Sequence, residues 1–358
     1  MVAYKVAPSP EGMEREAKVQ PKNPDNHCCC GCFGKAPGPV KTAKIEADGG
    51  KWIQLDDGRI VEYFIYGSES PDARVLLQIN GSMGTGWYCA HVKAAERMRE
   101  LNIKGISVTI PGHAYSTAQG KGRRIADWAK DDVEPVLLAE GIKGPFMVEG
   151  SSFGSSHALA VALYFGERVE AMHLHVPYIN FELRQELGMA LKGKDEAFVD
   201  KDAAWVASCG SCPIHCCCCL MFGCCVPLCP GATEDEHSRK QEAAMPGSTK
   251  LQHYDIRRAS HAGWNSYGLL HNAIEIISKG WGLDPRDVKT SKVMISYNDG
   301  DQQSPTEQGA WLAEHFSKTA AVCKVNHAPD EGKKKGENHG CQQIKLIDGT
   351  FVEMLAAL

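Results

Sequence analysis

A five-residue run at 150–154, with the sequence Gly-Ser-Ser-Phe-Gly, constrains the fold of this chain more than any other segment. It follows the apolar stretch 145–148 and precedes the helix-forming stretch 155–163. Because its two glycines allow backbone to pass close to backbone at a sharp corner, the run predicts a strand, a tight turn and a helix. The turn exposes the Ser152 hydroxyl at the helix N-terminus, where the helix dipole favours negative charge. Ser152 is therefore the candidate nucleophile.

Short apolar runs alternate with helical patterns along most of the chain. The patterns include 125–141 and 307–316, where apolar residues recur with the period of a helix. This alternation predicts an α/β fold with a mostly parallel sheet, covered by helices on both faces. Functional residues are then expected at the carboxyl ends of the strands. The predicted strands lie at 74–79, 105–110, 146–149, 171–176, 292–297 and 321–325.

The chain divides into four segments. Residues 1–49 are rich in Pro, Gly, Lys and Glu without an apolar period, which predicts a disordered or loosely packed extension with a cysteine cluster. Residues 50–178 and 286–358 hold the two parts of the predicted core. More than a hundred residues separate the strands that flank 179–285, too many for one crossover. We interpret 179–285 as an inserted, largely helical cap.

Charge and the N-terminal sequence narrow the function classes. The net charge of −5 gives no electrostatic footprint for nucleic acid, so we expect no nucleic-acid partner. The first residues show no apolar secretory segment, and we expect a cytoplasmic location. In that reducing compartment the 16 cysteines stay thiols unless they are modified. Nothing in the sequence predicts the oligomeric state.

Three motifs in order resemble those of the α/β-hydrolase superfamily, in particular its serine esterase and lipase-like branch with a cap domain. The loop 80–84 (Asn-Gly-Ser-Met-Gly) matches the His-Gly loop that supplies one oxyanion-hole amide, with Asn80 in place of His. The turn 111–116 (Pro-Gly-His-Ala-Tyr-Ser) is similar to Pro-Gly-x-Gly-x-Ser, and the serine turn follows. The resemblance covers about residues 50–358 and implies the α/β-hydrolase fold, with a Cys-rich cap inserted in it.

The resemblance also implies an acid that follows the serine in the chain. The segment 295–305 is similar to the strand and loop that carry it, and the spacing to Pro305 selects Asp301. Asp299 is the alternative. The carboxylate would hold the imidazole of the base in the correct tautomer and stabilise the imidazolium.

The base is the position where this sequence departs from the family. The family usually places a histidine just after a glycine beyond the last strand, and here Gly332 is followed by Lys333. If 333–337 is a short insertion, the next histidine, His339, stays in the loop and is the predicted base. His327, which is closer to the strand, is the alternative.

The reaction that this resemblance implies is acyl transfer. Ser152 attacks a carboxylic ester, and the backbone N–H groups of Ser82 and Phe153 hold the oxyanion. We expect a small-molecule ester with a hydrophobic or lipid-like acyl group as substrate, and no cofactor. A thioesterase is one alternative. A noncatalytic protein that attaches to membranes or binds partners is another, favoured by Lys333 at the usual histidine position.

Residues 205–230 contain nine cysteines and no Asp, Glu, Lys or Arg. Because the flanking strands belong to one sheet and Pro213 and Pro227 interrupt any long helix, we do not predict a membrane span. A Cys209/Cys212/His215/Cys216 zinc site is one interpretation, but adjacent cysteines diverge and we predict no metal. A chemically idle lid is another. S-acylation with peripheral membrane contact is the third, and its candidate residues are Cys28, Cys29, Cys30, Cys32, Cys216, Cys217, Cys218 and Cys219.

Overall fold

The computed structural model describes residues 5–6, 42–81, 84–117, 123–189, 241–261, 281–301, 304–329 and 342–358. The nine strands in these ranges form one sheet in the order β1-β2-β3-β5-β4-β6-β7-β8-β9. The strands are β1 (Lys5–Val6), β2 (Lys51–Gln54), β3 (Ile60–Gly67), β4 (Arg74–Ile79), β5 (Ile103–Val108), β6 (Phe146–Ser151), β7 (Val169–His175), β8 (Lys292–Asn298) and β9 (Val322–Ala328). All six strands predicted from the apolar runs are present.

The sheet changes from antiparallel to parallel at β5. Strands β1, β2 and β3 pair antiparallel, and β3 pairs antiparallel with β5. Every pair from β5 through β4, β6, β7 and β8 to β9 is parallel. The carboxyl ends of these six strands therefore meet at one edge of the sheet, where the sequence predicts the functional residues.

Helices cover both faces of the sheet. Helices α4, α6 and α9 pack on one face, and α3 and α11 pack on the other. Among the described residues, no helix has the length and apolar character needed to cross a bilayer. The helices are α1 (Thr42–Ala47), α2 (Gly86–His91), α3 (Ala94–Glu100), α4 (Ile125–Trp128), α5 (Glu134–Ala139), α6 (Phe153–Phe165), α7 (Phe181–Glu186), α8 (Ser248–His261), α9 (Thr306–Thr319), α10 (Gln343–Ile347) and α11 (Thr350–Ala356).

The central strands are apolar on both sides because both sides are buried. In β4, Leu77 lies in the core on one face and Leu76 in the core on the other. In β6, Val148 lies in the same core as Leu77, and Met147 lies in the same core as Leu76. Successive strand residues point to opposite faces, so a strand covered by helices on both sides reads as a continuous apolar run.

Three helices lie in the segments for which the sequence predicts a loose extension or a cap. Helix α1 falls within the predicted extension 1–49, yet its Ile45 is fully buried beside Trp52 of β2. Helix α7 falls within the predicted cap 179–285, and its Leu183 is buried in the main core. Helix α8 falls within the predicted cap 179–285 and packs against α2. Residues 190–240 and 262–280 lie outside the described residues, so the cap as a whole stays a prediction.

The C-terminal residues 342–358 form two helices, α10 and α11. Gly349, with φ of +86°, separates them, and a Cβ at this position would lie 2.6 Å from the Cβ of Arg97. The bend turns Phe351, Val352 and Leu355 into the core. The Phe351 ring packs 4.6 Å from the ring of His173 on β7, centroid to centroid.

Truncation of Phe351 tests this contact. Phe351→Ala is expected to lower the free energy of unfolding by about 3–5 kcal/mol, because it leaves a cavity between α11 and β7. The control is Glu353→Ala on the same helix, which removes only an exposed ion pair with Arg97 and is expected to cost under about 1 kcal/mol. Urea unfolding of the two variants measures both values, and equal losses would contradict the proposed packing.

Candidate active site

Ser152 occupies a strained corner between β6 and α6. Its backbone has φ of 53° and ψ of −124°, a conformation that costs a non-glycine residue about 1–3 kcal/mol. The surrounding structure maintains it: the Ser152 N–H donates to the His175 carbonyl at 2.8 Å, and the Ser155 N–H donates to the Ser152 carbonyl at 2.9 Å. The predicted strand, turn and helix are all present.

The two glycines of the run are required by close backbone contacts. A Cβ at Gly154 would lie 2.3 Å from the carbonyl oxygen of Ile79 and 2.5 Å from that of Asn80. A Cβ at Gly150 would lie 2.4 Å from the carbonyl oxygen of Gly154. The start of α6 therefore touches the end of β4, and this contact brings the turn and the loop after β4 together.

The loop after β4 lies directly against the serine. A Cβ at Gly81 would lie 3.1 Å from the Cβ of Ser152 and 3.7 Å from its Oγ. The Asn80 side chain folds back, and its Oδ1 accepts the Gly81 N–H at 2.9 Å. Ser82, the predicted donor in this loop, lies outside the described residues.

Phe153, the other predicted oxyanion donor, is the first residue of α6. Helix geometry gives the N–H groups of the first turn, that of Phe153 included, no acceptor within the helix. The Phe153 ring stacks on Tyr178, with centroids 5.0 Å apart, which fixes its side chain to the segment after β7.

Asp301 follows β8 at the same edge of the sheet as Ser152 and is 5% exposed. One of its oxygens accepts the Ser304 N–H at 2.9 Å. The Ser304 hydroxyl in turn donates to the Pro177 carbonyl at 2.6 Å, which ties the Asp301 loop to the segment after β7. A buried carboxylate therefore lies two strands from the serine.

The two alternatives, Asp299 and His327, form a pair with each other. The His327 Nε2 lies 2.8 Å from a carboxylate oxygen of Asp299, and both side chains are about two-fifths exposed. The His327 ring stacks on Tyr297 at 4.7 Å. Strand β9 is separated from β6 by β7 and β8, so its backbone lies about 14 Å from that of β6.

A buried polar chain crosses the sheet beneath the serine, and the sequence analysis missed it. Glu149 accepts from Gln78 and lies 2.7 Å from Nδ1 of His173, whose Nε2 lies 2.8 Å from the Ser296 hydroxyl. The Tyr66 hydroxyl donates to Gln78 at 2.6 Å. Each residue is on a different strand, so the chain fixes the register of β3, β4, β6, β7 and β8. Its signal in the sequence is that Gln78, Glu149, His173 and Ser296 each stand within one of the predicted apolar strands.

Solved structures resemble this one over most of its length. An esterase from Exiguobacterium antarcticum is 18% identical, with 85% of this chain and 98% of that chain covered and a TM-score of 0.56. An enol-lactonase from Burkholderia xenovorans LB400 is 14% identical (85% and 99% covered, TM-score 0.54). An α/β-hydrolase fold protein from Nakamurella multipartita is 16% identical (86% and 98% covered, TM-score 0.53). This chain has the α/β-hydrolase fold. Neither family models nor curated proteins gave a match to its sequence.

The fold explains where the described site residues lie. Ser152, Phe153 and Asp301 lie at the carboxyl edge of the parallel strands. Asp299 follows β8, as Asp301 does, and His327 lies near the carboxyl end of β9, one strand farther from β6. His339 lies outside the described residues, as do Ser82 and the eight cysteines predicted as S-acylation sites. The described residues contain no cluster of three or more metal-ligating side chains.

Two buried histidines flank the start of α6. His113 in the turn 111–116 and His157 on α6 are each 3% exposed. Burial lowers the pKa of both to about 4, and in each case a backbone hydrogen bond opposes the shift. Charge repulsion from His113 lowers the pKa of His157 further. The Trp128 ring packs edge-on against His157 at 5.0 Å. Both side chains are neutral near pH 7.

Substitution of Gly154 tests the close approach of α6 to β4. Gly154→Ala is expected to lower the free energy of unfolding by about 1–3 kcal/mol and to displace Ser152, because its Cβ would overlap two carbonyl oxygens. Gly144→Ala is the matched control, since a Cβ there meets nothing within 4 Å. Thermal unfolding compares the two variants, and an unchanged melting temperature for Gly154→Ala would contradict the contact.

The buried histidines predict a dependence of stability on pH. Each has a folded-state pKa below its unfolded value of 6.5, so its contribution is fully present above pH 6.5 and is lost as the pH falls toward 4. Between pH 7.5 and 5 this loss is about 2 kcal/mol for each histidine. His157→Gln is expected to reduce the loss measured by urea unfolding. The control is His91→Gln, at an exposed position; equal slopes in both variants would contradict the assignment.

Proposed function

We propose that this protein is a serine hydrolase that cleaves a carboxylic ester through a covalent acyl-enzyme. The observation that carries the proposal is the strained conformation of Ser152, held between β6 and α6 with the loop of Gly81 against its hydroxyl. Strain of this kind persists only where the surrounding structure enforces it, and it is found mainly at functional sites. The esterase and the enol-lactonase among the similar structures support acyl chemistry.

Asp301 is the proposed acid and His339 the proposed base. Asp301 is buried at the edge that Ser152 occupies, as an orienting carboxylate requires. Asp299 and His327 bond to each other in a pair that is about two-fifths exposed, which favours a role for them outside the reaction. His339 follows β9 in the chain, the position that the triad order requires.

The proposed reaction proceeds in two steps. His339 takes the proton of the Ser152 hydroxyl as its oxygen attacks the ester carbonyl, and the same histidine then protonates the leaving alcohol. Backbone N–H groups of Phe153 and Ser82 hold the oxyanion of both tetrahedral intermediates, and the loss of one such donor costs about 100- to 1,000-fold in rate. Water then attacks the acyl-enzyme and releases the acid.

The proposed substrate is a small ester with a hydrophobic acyl group. Phe153 and Tyr178 supply a stacked aromatic pair beside the serine, a surface that favours an apolar group. Peripheral membrane contact through S-acylated cysteines stays a prediction of the sequence.

Labelling with a fluorophosphonate probe tests the proposal, because the probe reacts only with an activated serine. The wild type is expected to be labelled, and Ser152→Ala is expected to abolish both labelling and hydrolysis of p-nitrophenyl esters. Asp301→Asn and His339→Ala are expected to lower kcat about 10⁴-fold. The matched controls Asp299→Asn and His327→Ala are expected to stay within about threefold of the wild type.

Three outcomes would change this conclusion. A folded wild type that neither reacts with the probe nor cleaves esters would overturn the proposed activity and favour a noncatalytic binding protein. Loss of activity in His327→Ala but not in His339→Ala would exchange the assigned bases. Faster turnover of thioesters than of oxygen esters with the same acyl chain would make the protein a thioesterase.

A further inference from the structure

A buried carboxylate on α8 contacts the residue that begins α2, immediately after the loop of Gly81. The Asp255 Oδ2 accepts the Thr85 N–H at 2.9 Å, and Oδ1 accepts the Thr85 hydroxyl at 2.5 Å. Thr85 caps α2, since its hydroxyl oxygen also accepts the Trp87 N–H at 3.2 Å. Asp255 is 170 residues from Thr85 in the sequence, so only the fold brings them together.

A short series of contacts leads from Thr85 to the serine. The Asn80 amide donates to the Thr85 carbonyl at 3.5 Å, while its Oδ1 accepts the Gly81 N–H. The Gly84 N–H donates to the Gly81 carbonyl at 3.1 Å. Because Gly84 has no Cβ, the Asn80 side chain fits beside it; a Cβ at Gly84 would lie 2.4 Å from that side chain. Gly81 then lies against Ser152. A displacement of Thr85 is therefore transmitted to the serine.

Helix α8 is firmly anchored, so Asp255 is a fixed point. One turn after Asp255, the Arg258 guanidinium donates two bonds to Glu62 of β3, at 2.7 and 2.9 Å, and one to Asp48 at 2.7 Å. It also lies over the rings of Phe64 and Tyr115, 5.3 and 5.0 Å from their centroids. Asp255 and Arg258 are both buried, and bidentate Arg–carboxylate pairs such as Arg258–Glu62 hold a fixed geometry.

The same helix contacts the loop after the neighbouring strand. The Ala114 N–H, in the turn 111–116 after β5, donates to the Ala259 carbonyl on α8 at 3.1 Å. Helix α8 thus connects the loops that follow β4 and β5, the two strands beside β6 on the antiparallel side of the sheet.

We propose that Asp255 is a positioning residue, which fixes Thr85 and, through Asn80 and Gly84, holds Gly81 in place against Ser152. This inference rests on the proposed function, because its effect on rate requires Ser152 to be the nucleophile. Helix α8 comes from the segment between the two halves of the core, so this segment would contribute to the geometry of the reaction.

The ionisation of Asp255 is consistent with a role beyond stability. Burial raises its pKa to about 7; its bonds from Thr85 and the charge of Arg258 oppose the shift, and Glu62 of β3 adds to it. Tyr88 and Cys89 of α2 also face the carboxyl group. A buried acid with so high a pKa destabilises the protein whenever it is ionised, and such groups are concentrated at functional sites. The carboxylate form that accepts both Thr85 bonds predominates at pH 8.

Four variants test the proposal at pH 8. Asp255→Ala removes both acceptors, and Asp255→Asn keeps the size of the side chain should Asp255→Ala fold poorly. Thr85→Val removes the hydroxyl, and Thr85→Ser retains it.

Asp255→Ala is expected to lower kcat for p-nitrophenyl butyrate about 10- to 100-fold, with KM within about twofold, because a small displacement of the site slows the reaction without removing acyl contacts. Thr85→Ser is expected to match the wild type, and the Asp255→Asn and Thr85→Val losses are expected not to add.

Amide hydrogen exchange supplies a readout that does not depend on activity. In Asp255→Ala the Thr85 and Gly84 amides are expected to exchange about tenfold faster or more, while amides of β8 stay unchanged as the control. Unchanged exchange at Thr85 would overturn the proposal, and so would faster exchange with unchanged kcat. If the amides of Asp255→Ala exchange faster but the wild type cleaves no ester, the proposed function is overturned and the link from α8 to Gly81 is still supported.

Discussion

The contact between the start of α6 and the end of β4 determines most of the site. Gly154 lies so close to the carbonyl oxygens of Ile79 and Asn80 that no side chain fits between them. This contact places the loop after β4 beside Ser152 and leaves its backbone in a conformation that an isolated peptide would avoid. Hydrogen bonds to His175 of β7 and from Ser155 of α6 maintain the strain, so the serine is held by elements on both sides of the turn.

Polar groups buried in the sheet reinforce that edge. The chain from Tyr66 to Ser296 runs across five strands, and each member bonds to the next. Buried polar groups destabilise a protein unless they are paired, so a shift of one strand by one residue would leave several of them without partners. These bonds, together with apolar packing, specify the register of the parallel strands. That register sets the position of Ser152 relative to Asp301.

Local patterns were sufficient to predict the strands, the serine turn and the order of the motifs. Residues 150–154 are informative because glycine, serine and a flanking strand and helix are all local features. The predictions were less accurate where the outcome depends on distant residues. Ile45 is buried although the residues around it show no apolar period, because Trp52 and Tyr115 come from elsewhere in the chain to cover it. Gly349 lies so close to Arg97 of α3 that a Cβ would not fit there, a constraint that comes from a distant segment of the chain.

The fold class, the sharp serine turn and the strands that lead to it could be predicted from the sequence, because alternation and turn chemistry act over a few residues. The tertiary structure was needed to establish that Asp299 and His327 pair with each other and that Asp301 is buried. It also decided that Asp255 bonds to Thr85 across 170 residues. The reason is physical: a side chain's partners, burial and pKa depend on what surrounds it, and distant segments of the chain supply those surroundings.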